Sequence, residues 1–128
     1  MANLLVYDDN TLYWADLMKC LNERHEVAFV STVEEALTKI GQNNYDMVLA
    51  AVYEDNDNVF GLLQRIRAGG AAKNIPFVCV RGPNAAKNVR EMDEAYRMAT
   101  LMLGAKGYVT ANDYSSLCPS LEQFFMKV

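Results

Sequence analysis

The stretch Tyr45-Asp46-Met47-Val48-Leu49-Ala50-Ala51-Val52-Tyr53 decides how this chain folds. From Met47 to Val52 it holds no polar side chain. It is short for a helix, and a continuous apolar run, as opposed to an alternating one, suits a strand covered on both faces. Such a strand belongs in the middle of a parallel sheet. Its C-terminal end opens onto Glu54-Asp55-Asn56-Asp57-Asn58, a polar loop at the sheet edge where open α/β folds place their chemistry. What the strand presents at that edge is a methyl group, Ala51.

On the N-terminal side, Asn3 to Tyr7 is a short apolar run that ends in Asp8-Asp9-Asn10, a strand and a turn. Trp14, Leu17, Met18 and Leu21 then follow helical spacing and give one apolar stripe. Val27 to Val30 reads as a second strand. Thr32 and Glu35 fit a capping box, each satisfying an orphan amide of a helix. That helix buries Ala36, Leu37 and Ile40 and is expected to end at Gly41. On the C-terminal side, Phe60, Leu63 and Ile66 mark a third helix that stops at Gly69-Gly70, where a positive φ is cheap.

Ile75 to Val80 is another apolar strand, its Pro76 tolerable at the start. The longest helix is predicted from Asn84 to Leu103, with Val89, Met92, Tyr96, Ala99 and Leu103 on its buried side and Gly104 as the residue just past its end. Gly107 to Thr110 is a fifth strand. Asp113 caps a last helix carrying Leu117, Leu121 and Phe124, with Pro119 in its early part. Five strands alternating with five helices predict a (βα)5 doubly wound parallel sheet, a flavodoxin-like three-layer sandwich. Right-handed crossovers leave few topologies, and the order 2-1-3-4-5 is the common one. It brings the C-terminal ends of strands 1 and 3 together as the site.

Composition narrows the class. The 128 residues make a single domain over 1–128, and about two-thirds of the unfolded surface is buried at this size. With 52% hydrophobic and 22% charged residues the chain is an ordinary globular protein. No apolar run approaches the roughly 20 residues of a membrane span, so no membrane association is expected and the protein reads as cytoplasmic. The net charge of −4 argues against nucleic acid as a direct partner. Cys20, Cys79 and Cys118 are odd in number and far apart. They read as reduced thiols, neither a disulfide framework nor a zinc site.

Five pieces in order and register resemble the receiver domain of two-component response regulators (CheY-like), over nearly the whole chain. They are Leu4-Leu5-Val6-Tyr7-Asp8-Asp9-Asn10, Thr32-Val33-Glu34-Glu35-Ala36-Leu37, Tyr45-Asp46-Met47-Val48-Leu49, Ile75-Pro76, and Gly104-Ala105-Lys106-Gly107-Tyr108-Val109. In that family, acids matching Asp8 and Asp9 help bind Mg²⁺, and an aspartate near the end of strand 3 takes the phosphoryl group. Here that place is Ala51. The family's hydroxyl after strand 4 is replaced by Arg81, and its lysine after strand 5 by Ala111, with Asn112 where a proline usually follows. Tyr108 matches the family's switch aromatic. The loop after strand 3 and the segment from Arg81 to Gly104 are both longer than the family's.

Phosphoryl transfer to a receiver needs a carboxylate in line with the donor phosphorus, a cation, and donors on the developing charge. A methyl group can neither attack nor coordinate metal. Nucleophile, hydroxyl and ammonium are all replaced, so the resemblance implies a pseudo-receiver that is not conventionally phosphorylated and is not an enzyme. Mg²⁺ is doubtful, because octahedral magnesium leans on the third carboxylate; no other cofactor is expected.

Asp8 and Asp9 keep two readings. They bind a divalent cation weakly, or another group holds them. Strands lie about 4.8 Å apart, so strand 4 ends roughly 10 Å from strand 1, and an Arg81 guanidinium crossing above Ala51 would replace the metal with a fixed cation. Asp55 and Asp57, on a loop, lack the alignment of in-line transfer. Met92, Met98 and Met102 read as core before they read as a binding surface, and His25 as a capping or surface residue. The expected partner is a protein docking on the face of the fourth helix, fifth strand and fifth helix, a second copy of the chain included. No linker or further domain is visible after Val128, so if this is the entire protein, signalling output is expected to pass through surface contacts. The rival reading is a sensor that holds a small charged ligand in the vacated pocket at the strand ends.

Overall fold

In the computed structural model, residues 3–8, 21, 25–52, 58–69, 74–81 and 90–110 are described, without the side chains of 90–93 and 110. Five strands form one parallel sheet: β1 Asn3–Tyr7, β2 Glu26–Val30, β3 Met47–Ala51, β4 Phe77–Arg81 and β5 Gly107–Thr110. Their order is β2-β1-β3-β4-β5, with β3 in the centre. The doubly wound sheet expected from the apolar run is therefore the one observed. The predicted helices around Trp14 and after Asp113 lie outside the described residues.

Side chains alternate across the sheet, and two cores result. Leu5, Tyr7, Val48, Ala50, Phe77 and Cys79 face a layer made by Ala36, Leu62, Leu63 and Ile66. Leu4, Val6, Met47, Leu49, Val78 and Val80 face the other way, with Leu21 and Val109. This is why β3 needs no polar residue: both faces are covered. Each fully buried aliphatic side chain of this kind contributes about 1.5–3 kcal/mol. Burial pushes the Cys79 thiol up to about 12, which leaves it protonated and unreactive.

The helix Val33–Gln42 starts as the capping box predicts. Thr32 is extended at φ −129°, and its hydroxyl accepts from the Glu35 amide at 3.1 Å. Glu35 reaches back to the Ser31 amide at 3.3 Å. Gly41 does not end this helix, contrary to expectation. A Cβ there would meet nothing within 4 Å, and the stop comes at Asn43, whose backbone and side-chain N–H groups both take the Lys39 carbonyl.

The next helix, Asn58–Arg67, buries Val59, Leu62, Leu63 and Ile66. The helix ends at Arg67, with Ala68 N–H still donating to Gln64 O at 2.9 Å, two residues before Gly69, while Gly70 lies outside the described residues; Gly104 is the only glycine with a positive φ among the described residues.

The long helix is described over Arg90–Met102, and its predicted first turns at 84–89 lie outside the described residues. Its end is a Schellman closure: Ala105 N–H donates to Thr100 O at 2.9 Å and Gly104 N–H to Leu101 O at 3.1 Å, with Gly104 at φ +106°. The glycine foreseen just past the end does that work. Met98 and Met102 do not behave as core, and the side chain of Met92 lies outside the described residues. Met98 is 59% exposed, Met102 85% and Leu101 40%, while Thr100 is fully buried. The packed side of this helix is Tyr96, Ala99, Thr100 and Leu103, which leaves the apolar residues one step round the helix in solvent. His25 is also not at the surface. It is buried, and its backbone N–H donates to Leu21 O at 3.0 Å.

Candidate functional site

The C-terminal ends of β1, β3, β4 and β5 lie side by side. Tyr7 pairs with Ala50, so Asp8 follows beside Ala51 on the neighbouring strand. Ala51 pairs with Val80, and Arg81 pairs with Thr110. The ladder continues past the strands on both sides of this row: Asp8 N–H donates to Val30 O at 3.0 Å, and Val52 N–H to Val80 O at 2.8 Å. Sheet geometry thus fixes the spacing of Asp8, Ala51 and Arg81 at about one strand separation per step.

Burial gives this row its character. Asp8 is 2% exposed and Arg81 5%. Opposite charges taken this far out of water are tolerated only when they are paired and hydrogen-bonded, and neither residue is without a partner. Ala51 between them is half-buried and offers a methyl group. Alternation places Asp8 and Ala51 on the side of Val6 and Leu49, and Arg81 on the side of Cys79. A guanidinium that reached the acid from position 81 would pass over the strand ends, not through the sheet.

Sequence reasoning brought together Asp8, Asp9, Ala51, Arg81, Ala111 and Tyr108. Three of these, Asp8, Ala51 and Arg81, are assembled at one edge. Tyr108 lies lower on β5, paired with Cys79 and half-buried against the core that holds Tyr7 and Phe77. Asp9 and Ala111 lie outside the described residues, as do Asp55 and Asp57. Among the described residues no three His, Cys, Asp or Glu side chains group as a metal site, and no described helix is long and apolar enough to cross a membrane.

The feature that sequence reasoning misjudged is the stripe Met98, Leu101, Met102. Its signal was present, because the long helix carries apolar residues on more of its circumference than one packed face can use. At the opposite edge of the sheet a recess of about 240 Å³ is lined by Asn43, Asn44, Tyr45 and Asn74. It carries no formal charge, and burial raises the Tyr45 phenol above its ordinary value.

No family model matches this chain, and no curated protein matches it in sequence. Solved structures do match in fold. A two-component response regulator from Clostridium difficile is 19% identical with a TM-score of 0.74, covering 99% of this chain and 98% of its own. The phosphorylated cyanobacterial phytochrome response regulator RcpA is 18% identical with a TM-score of 0.75, covering 98% and 94%. The chemotaxis response regulator CheY4 of Vibrio cholerae is 18% identical at 0.75, covering 96% and 98%. The chain has the fold of response-regulator receiver domains along nearly its entire length.

Proposed function

We propose that this chain is a pseudo-receiver: a receiver-like module of two-component signalling that takes no phosphoryl group and acts in the cytoplasm through protein contacts. The observation that carries this reading is the row Asp8, Ala51, Arg81 at the strand ends, with a methyl group where a receiver offers its nucleophile and a buried cation two strands from the acid. In our reading Arg81 compensates Asp8 and holds the edge in one charge state, the place that Mg²⁺ occupies in phosphorylated receivers. The donor set does not fit that metal: Ala51 supplies no oxygen, and a buried guanidinium opposes a second cation. The resemblance of five short segments to receivers and the shared fold support the kinship.

Output then falls to surface contacts. Met98, Leu101 and Met102 form the apolar stripe for it, at helical spacing and exposed. Contiguous exposed apolar surface is what contact sites present, and methionine adapts to varied partners.

The test is incubation with acetyl phosphate and Mg²⁺ followed by intact mass. No phosphoryl adduct is expected on the parent chain, nor on Ala51→Asp, because the hydroxyl and ammonium positions remain Arg81 and Ala111. A stoichiometric adduct on the parent would overturn the reading.

A further inference from the structure

The helices Asn58–Arg67 and Arg90–Met102 share one face of the sheet: Leu62, Leu63 and Ile66 from the first pack in the same core as Tyr96 and Leu103 near the end of the second. Among the described residues, one side-chain contact joins the first helix to the second and another joins it to the turn that ends the second. Near the start of the first helix, the Phe60 ring meets Tyr96 with centroids 5.5 Å apart and planes tilted by 41°. At its last residue, Arg67 donates from Nε at 3.2 Å and from Nη2 at 2.8 Å to the carbonyl oxygen of Gly104, 37 residues along the chain.

Gly104 is built for that contact. The Schellman closure uses the Leu101 and Thr100 carbonyls, so the Gly104 carbonyl is left to accept from outside the helix. Its φ of +106° is one that side-chain-bearing residues rarely adopt, and a Cβ would stand 3.0 Å from Arg67 Nε. The next two residues are pinned as well: Ala105 N–H is held by Thr100, and Lys106 N–H donates to Phe77 O at 2.7 Å.

We infer that Arg67 is a positioning residue for the exposed stripe Met98, Leu101, Met102. Its guanidinium ties the turn that ends the long helix to the helix that begins just past the loop after Ala51, and with Phe60–Tyr96 it makes the two helices one body. The pose of the stripe is then set by the Asn58–Arg67 helix. What the stripe does rests on the reading proposed above; that Arg67 places it does not.

Amide hydrogen exchange on Arg67→Met separates the two. Methionine keeps much of the apolar stem and removes both donors. Exchange is expected to rise at least tenfold at residues 100–106, with the helix Val33–Gln42 unchanged, because opening is local when one tie is cut. Arg67→Lys, a single point donor without the fork, should fall between parent and Arg67→Met, and it keeps the test alive if Arg67→Met does not fold. The methyl NMR signals of Met98 and Met102 should shift in the same order. Exchange at 100–106 within twofold of the parent, or an equal rise throughout the molecule, would sink the inference. Loss of a captured partner with unaltered exchange would count against it too, while leaving the signalling reading intact.

Discussion

Two carboxylates near the same edge of the sheet are handled in opposite ways. Glu35 stands in solvent just after β2, and its partners, Ser31 and Thr32, lie within four residues. Asp8 stands at the end of the neighbouring β1, almost wholly buried, and in the reading proposed above its charge is answered by Arg81 from two strands away. The first arrangement is closed by the chain itself as the helix forms. In that reading the second would exist only once three strands are in register. The lesson is one of stakes: an exposed acid bonded locally contributes little and is replaceable, whereas a buried one makes the structure depend on whatever faces it.

The largest expected effect lies with the buried acid. If Arg81 compensates Asp8, Arg81→Ala leaves an uncompensated charge in the interior, and losses of that kind run about 3–5 kcal/mol. Urea unfolding at neutral pH should show a clear fall in midpoint. Asp8→Asn in the Arg81→Ala background should recover part of it, and the double-mutant cycle gives the coupling. An Arg81→Ala protein that melts where the parent does would end the idea of a fixed cation.

A smaller loss is expected at Gly104, again at long range. Alanine there meets Arg67 at 3.0 Å and must hold φ +106°. Backbone strain of this sort costs on the order of 1–3 kcal/mol. Chemical denaturation of Gly104→Ala measures it, and a change under about 0.3 kcal/mol would mean the turn relaxes freely, below what even a modest glycine effect costs.

The same division between near and far explains what could be read from the amino-acid order. The strands were legible because burial on both faces writes an unbroken apolar run, as in Met47–Ala51. The box at Thr32 was legible because both partners lie within three positions. Gly104 was legible as a helix stop for the same reason. What was not legible involves partners that only the fold brings together. Nothing near Arg67 in sequence points to Gly104, and no local signal distinguishes the buried side of the long helix from Met98, Leu101 and Met102 once apolar residues occupy both. The misplaced stop at Gly41 has a related cause. Glycine permits an ending but does not compel one, and Asn43 two positions on supplied the better cap. At the site, the identities at 8, 51 and 81 were readable, while their burial was not.

Next in size comes the local box. Thr32→Ala removes the acceptor for the Glu35 amide and should cost about 1 kcal/mol. Measured by denaturant midpoint, it should stay well below the Arg81 effect. A larger loss from the exposed cap than from the buried cation would invert the comparison.

The smallest effect is the pH response of the box. Glu35 is held below its ordinary carboxylate value of 4.5, first by the Ser31 backbone N–H; desolvation, next in size, opposes this, and the Ser31 and Thr32 hydroxyls and the Thr32 backbone N–H add smaller lowering effects. A carboxyl whose pKa is lower folded than unfolded binds fewer protons in the native state, so its stabilisation is complete above the unfolded value and fades as pH falls through the folded one. The contribution of Glu35 should therefore be constant near neutrality and vanish progressively below about pH 4.5. Glu35→Gln keeps an acceptor oxygen but does not titrate, so its difference in stability from the parent should narrow across that window. Thr32→Ala removes one of the smaller contributors and should narrow the window without abolishing it, because the Ser31 amide comes first. If the parent and Glu35→Gln curves run parallel from pH 7 to pH 3, the exposed carboxylate contributes nothing through its charge.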